Sequence, residues 1–167
     1  TMTIDELAGG LTTVSEVTIQ ATLRAVRREV VPPEDAALDF SVIAMGRFGG
    51  SELGFGSDAD VLYVYDPNGL DPQRAHQLAL QLVAGLRTYS EDHRVPFDLD
   101  ADLRPEGRNG PLVRSLESYA EYYRRWSLSW EAQALLRARG VAGSVKLIQR
   151  FMALADDVRY PARVALQ

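Results

Sequence analysis

Along residues 3–30 the apolar positions Val17, Ile19, Leu23, Val26 and Val30 recur near helical spacing, so the segment reads as one helix. Thr12 or Ser15 is placed to cap this run. Pro32-Pro33 ends it, because proline lacks the amide a helix needs and its ring crowds the preceding turn. The helix either lies on the main domain or forms the tail of a preceding one. Residues 40–45 are a short, largely apolar run followed by Gly46, the pattern of a buried strand. Gly49-Gly50-Ser51-Glu52-Leu53 opens a short helical turn. Residues 58–65, rich in valine and tyrosine, predict a second strand, and Asp66-Pro67-Asn68-Gly69 a turn. Asp71 and Pro72 then supply an N-cap and a first helical residue, with Leu78, Leu82 and Leu86 as the buried stripe and Ala75 and Ala79 beside it. Residues 95–103 alternate: Asp98, Asp100 and Asp102 on one face, Phe97, Leu99, Ala101 and Leu103 on the other. That predicts a third strand. A polar loop over 104–111 follows, then helices over 112–125, 130–139 and 145–158.

These elements describe an α+β fold: a small mixed β-core carrying acidic residues, followed by a helical section. The expected divisions are an N-terminal helical segment at 1–33, the core at 34–112 and helices packed on it at 113–167. The 167 residues suffice for one domain with a sizeable core, with or without a small helical appendage. A composition of 46% hydrophobic and 25% charged residues argues against disorder. Net charge is −5 and the pI near 5.0, which speaks against nucleic-acid binding, since phosphate contacts need a basic surface. A small anionic ligand held by a few arginines remains compatible with it. With no cysteine, disulfides, thiolate chemistry and cysteine zinc sites are excluded. No apolar run of about 18 residues exists to cross a membrane, and no signal-peptide pattern opens the chain. A cytoplasmic setting is expected, and the opening Thr1-Met2 reads as an excised start.

The chemistry concentrates in Asp58-Ala59-Asp60, between a glycine-rich loop and an apolar strand. Alternate strand residues share a face, so the two carboxylates point the same way and repel unless a cation holds them. Mg²⁺ suits such a pair, since it binds through carboxylates together with substrate phosphates. A bare Asp-x-Asp is more often a solvated strand end; the glycine loop and the apolar strand favour the metal reading. One of Asp98, Asp100 and Asp102 can join the pair if the third strand lies alongside, and periodicity leaves open which one. Three carboxylates suit two Mg²⁺ ions for displacement at phosphorus. An exposed edge strand guarded by charge is the competing explanation. The loop matches neither a P-loop nor a dinucleotide fingerprint, although Gly50-Ser51 amides at a helix start suit a phosphate. Arg47, Arg104 and Arg108 either neutralise a triphosphate or pair with nearby aspartates. Trp126 and Trp130 read as core packing, and His76 and His93 as surface residues.

Three blocks carry a family resemblance. Gly46-Arg-Phe-Gly-Gly-Ser-Glu-Leu-Gly-Phe-Gly-Ser-Asp-Ala-Asp-Val resembles the signature of the glutamine synthetase adenylyltransferases, whose catalytic domains are of the DNA polymerase β-like nucleotidyltransferase type. Leu99-Asp100-Ala-Asp-Leu-Arg-Pro-Glu-Gly and Trp130-Glu131-Ala-Gln133-Ala-Leu-Leu-Arg-Ala-Arg139 resemble two later blocks of the same family. The resemblance implies Asp58, Asp60 and Asp100 as catalytic metal ligands for two Mg²⁺ ions. It implies Gly49, Gly50, Ser51, Arg47 and Arg104 as nucleotide-binding residues, with ATP as substrate. Asp98 and Asp102 stay outside the core site. It further implies transfer of AMP to a tyrosine of glutamine synthetase by the C-terminal half of a bifunctional enzyme, with a PII-type signalling protein as effector. The deadenylylating half, or a nucleotide-binding domain without activity, are the alternatives; the presence of all three carboxylates speaks against the last.

Overall fold

The computed structural model describes residues 1–91, 98–126 and 129–160. Helix α1 (Ile4–Val30) starts at a capping box: the Glu6 amide donates to Thr3 Oγ1 at 3.2 Å, and the Thr3 amide to Glu6 Oε2 at 2.7 Å. The cap is therefore Thr3, not Thr12 or Ser15. The first turns carry an exposed Ile4 and a Gly9-Gly10 pair, so no apolar stripe marks them in the sequence. Thr12 lies inside the helix, where its hydroxyl donates to the Ala8 carbonyl at 2.8 Å.

Strands β1 (Asp39–Ala44) and β2 (Ala59–Asp66) pair antiparallel and are joined through the short helix α2 (Gly46–Gly49) and a loop. Helix α3 (Pro72–Ser90) follows, capped by Asp71, whose carboxylate accepts from the Arg74 amide. Strand β3 is only Leu99–Asp100, parallel to the start of β2. The strand expected over 95–103 is thus cut short: the chain turns after Asp100, and residues 95–97 lie outside those described. Strand β4 (Val113–Ser115) returns to pair parallel with β2 further along. Helices α4 (Leu116–Trp126) and α5 (Ser129–Leu135) lead to strand β5 (Arg139–Gly143), antiparallel to β1, and then to helix α6 (Val145–Arg159). Strand β4 falls inside the helix expected over 112–125, and β5 lies mostly in the gap between the helices expected over 130–139 and 145–158, where no strand is expected. Three residues are too few to show alternation, and Gly140 and Gly143 blur it in β5.

The sheet order β3-β2-β1-β5, with β4 also on β2, puts β1 and β2 in the middle. Helices cover both of its faces, which is why apolar residues on these strands point to both sides. Val42, Val61 and Tyr63 pack against Ile19, Leu23 and Val26 of α1 and Leu78, Leu82 and Leu86 of α3. Ile43, Leu62 and Val64 pack on the other side against Tyr119, Leu147 and Phe151. Trp126 and Trp130 belong to neither cluster. They are 67% and 41% exposed, contrary to the core role their spacing predicts. His76 is half-buried, with Nδ1 3.3 Å from the Tyr65 hydroxyl. His93 lies outside the described residues.

Candidate active site

The register of the parallel pair decides which carboxylates meet. Ala59 pairs with Leu99 and Asp60 with Asp100, so Asp60 and Asp100 share one face of adjacent strands. The Ala59 amide donates to the Asp98 carbonyl at 2.8 Å, fixing this register at the strand start. Asp58 stands exposed just before β2, while Asp60 and Asp100 are half-buried. Burial, then the charges of Asp100, Asp58 and Asp102, push the Asp60 carboxyl up to about 6. Asp98 is also raised, by burial, by the charges of Asp58 and Asp100 and by a hydrogen bond to Asp58; Arg87 opposes this. The side chain of Asp98 thus reaches the corner that sequence reasoning reserved for three aspartates. Asp102 does not sit on the strand. Its amide donates to Asp100 Oδ1 at 2.7 Å, and its carboxylate pairs with Arg108 at 2.6 Å and Arg104 at 3.6 Å.

The glycine loop reaches this corner through its first residue. Gly46 has φ +52°, and a Cβ there would lie 2.5 Å from Asp60 Oδ2. Only glycine suits both the left-handed backbone and the close approach. The Met45 amide donates to the Asp60 carbonyl at 2.8 Å and ties the loop to the strand. The helical turn runs over 46–49 rather than from Gly49, which changes where the amides point. Those of Gly49, Gly50 and Ser51 donate back to Met45, Gly46 and Phe48 at 2.8, 3.0 and 3.2 Å. They end a turn instead of opening one. Gly49 is glycine for packing, because a Cβ there would collide with the Arg137 carbonyl. Gly50 and Ser51 are exposed, Ser51 at φ +59°.

The two arginines expected at the nucleotide differ. Arg47 is exposed, with Nε donating to the Glu52 carbonyl at 3.1 Å. Arg104 spends its guanidinium on its own loop: it donates to the carbonyls of Ala101, Gly110 and Arg108 at 2.8, 3.1 and 3.2 Å. Arg104 therefore shapes the loop that follows Asp100. A residue given no role in the sequence reading, Glu131, anchors that loop from α5. It is 2% exposed and accepts from the Tyr122 hydroxyl at 2.7 Å and the Glu106 amide at 3.3 Å. Glu106 also pairs with Arg114 at 2.6 Å, whose guanidinium lies over the Tyr122 ring. The conspicuous Trp130-Glu131 sequence was the available signal, though its partners are distant in the chain.

The donor set of this corner, carboxylate oxygen throughout, fits Mg²⁺. Burial first, and the neighbouring carboxylates after it, make a bare charge on Asp60 unfavourable, which a proton or a cation relieves. Among the described residues no three acidic side chains stand close enough together to hold a metal ion as they are.

Fold and corner together define an α+β domain that presents strand-borne carboxylates beside a glycine loop. The profile of the family described as glutamate-ammonia ligase adenylyltransferase matches residues 1–154, and the chain belongs to that family. It is 56% identical over 165 residues to a bifunctional glutamine synthetase adenylyltransferase/adenylyl-removing enzyme of Leifsonia xyli, covering 99% of this chain. Proteins of the same name from Streptomyces avermitilis and Mycobacterium tuberculosis are 49% and 48% identical over 95% of it. The chain spans 16% of the length of each of these relatives.

Proposed function

We propose that this domain transfers AMP from ATP to a tyrosine hydroxyl of glutamine synthetase. The observation that carries the reading is the pairing of Asp60 with Asp100 across adjacent parallel strands, with Asp58 at the same corner. Asp58, Asp60 and Asp100 would hold Mg²⁺, which when bound offsets phosphate charge and eases loss of the phenol proton, whose free pKa is about 10. Gly46 keeps space open at Asp60. Gly50, with no side chain, lets a triphosphate approach, and Ser51 and Arg47 offer a hydroxyl and a positive charge to it. Gly49 and Arg104 support the loops on either side. In this reading the residues act by positioning and by charge stabilisation rather than by forming a covalent intermediate. Asp100, in the same reading, accepts the phenol proton as the bond to phosphorus forms. The setting is cytoplasmic, with a PII-type signalling protein as effector.

Labelling of glutamine synthetase from α-³²P-ATP tests this. Substitution of both Asp58 and Asp60 by alanine should cut labelling by at least about 10³-fold, as loss of a metal site and its electrostatic stabilisation requires. Equal labelling by wild type and variant would remove the proposal.

A second reading reverses the chemistry at the same corner: phosphate attacks an adenylyl-tyrosine and releases ADP. It is favoured by the double name of the relatives, of which this chain covers a fraction. Incubation with adenylylated glutamine synthetase and phosphate distinguishes the two, since only the second releases ADP.

A further inference from the structure

Between β3 and β4 the edge of β2 loses its partner. Asp60 pairs with Asp100 and Tyr63 with Val113, so the offset grows from 40 to 50 residues and ten residues leave the strand line. Behind this excursion lies a polar cavity of about 210 Å³, lined among others by Tyr63, Arg87, Asp98, Asp100, Asp102 and Arg104. Tyr63 is 1% exposed, and its hydroxyl is buried without a hydrogen-bond partner in the protein. Its ring is held in the core, stacked 6.3 Å from Phe40, so the hydroxyl cannot swing out to solvent. A buried hydroxyl left unpaired is costly, and most are satisfied by protein or by ordered water. The cavity has room, since a water takes about 30 Å³ in the liquid, and it has the two or more polar partners a held water needs.

We propose that this cavity holds ordered water linking the Tyr63 hydroxyl to the Asp100 carboxylate and the Arg87 guanidinium, making Tyr63 a positioning residue for Asp100. Burial raises the Tyr63 pKa most; the Arg87 charge lowers it and the Asp100 charge raises it further, as expected of groups facing one cavity. The inference rests on the metal-binding reading of Asp58, Asp60 and Asp100. A partner one step behind a metal ligand fixes the ligand's orientation, and its loss typically weakens metal binding without unfolding the site.

Tyr63→Phe removes only the hydroxyl. Mn²⁺, a paramagnetic substitute for Mg²⁺, is titrated by electron paramagnetic resonance into wild type, Tyr63→Phe and the Asp58→Ala/Asp60→Ala variant, with thermal melting alongside. Tyr63→Phe should bind Mn²⁺ roughly 10-fold more weakly while melting no lower than wild type. A crystal structure of the wild type should show water within hydrogen-bond distance of Tyr63 Oη and Asp100. Unchanged Mn²⁺ affinity in Tyr63→Phe, or a dry cavity, overturns the inference alone. If wild type and Asp58→Ala/Asp60→Ala fail to bind Mn²⁺ alike, the metal reading itself falls and the positioning role falls with it.

Discussion

Asp60 is the residue where fold and chemistry conflict. Burial and neighbouring carboxylates raise its pKa to about 6 from an ordinary 3.8. At low pH it is protonated in folded and unfolded chains alike. As pH rises from about 4 to 6, the unfolded chain releases the proton while the folded one keeps it, so this group's contribution falls. Above about 6 the full cost remains. Asp60→Asn should therefore melt higher than wild type at pH 7.5 without Mg²⁺, by on the order of 1 kcal/mol, since solvent screens a half-exposed carboxyl. The gap should close toward pH 4 and narrow when Mg²⁺ is added. Asp58 and Asp60 are legible in sequence because strand alternation is a local rule. Asp100 was distinguished from Asp98 and Asp102 only by resemblance; the register pairs it with Asp60, while the Asp102 carboxylate pairs with Arg108. The needs of Gly46 and Glu131 were not legible, because each depends on a side chain or amide brought in from another element.

Among the elements, α1, α3, α6, β1 and β2 follow from hydrophobic spacing and from Pro and Asp caps, since each is long enough to show its period. Short elements escaped: β4 read as helix, β5 as the connection between two helices, and α2 was placed a few residues late. That shift reverses the use of the glycine amides, and it yields a test that separates two adjacent glycines. A Cβ at Gly49 would strike the Arg137 backbone carbonyl, whereas at Gly50 the nearest atom is the Arg137 Nη1, at the end of a long side chain, 3.2 Å away. Gly49→Ala should destabilise by about 1–3 kcal/mol, a melting point lower by roughly 3–10 °C. Gly50→Ala, at φ −79°, should stay within about 0.5 kcal/mol of wild type. Parallel thermal melts read both outcomes.

For the molecule as a whole, two hydrophobic clusters on opposite faces of one sheet hold the domain together, and α1 contributes to one of them through Ile19, Leu23 and Val26. The layering was implicit in the largely apolar runs of β1 and β2. The participation of β5 was not, because its pairing with β1 joins segments far apart in the chain. The interrupted edge has a mechanical consequence. The strand that carries Asp100 is fastened to β2 by two register pairs, while β4 is fastened separately and seats Val113 in the core. Fewer backbone pairings hold the acidic corner than hold the interior, so local opening there should cost less than unfolding the core. Amides of 99–104 should exchange with deuterium faster than those of 113–115 and slow when Mg²⁺ and an ATP analogue are added. Under the proposed transfer to a protein tyrosine, entry and exit of that bulky acceptor would then cost a few local bonds rather than the fold.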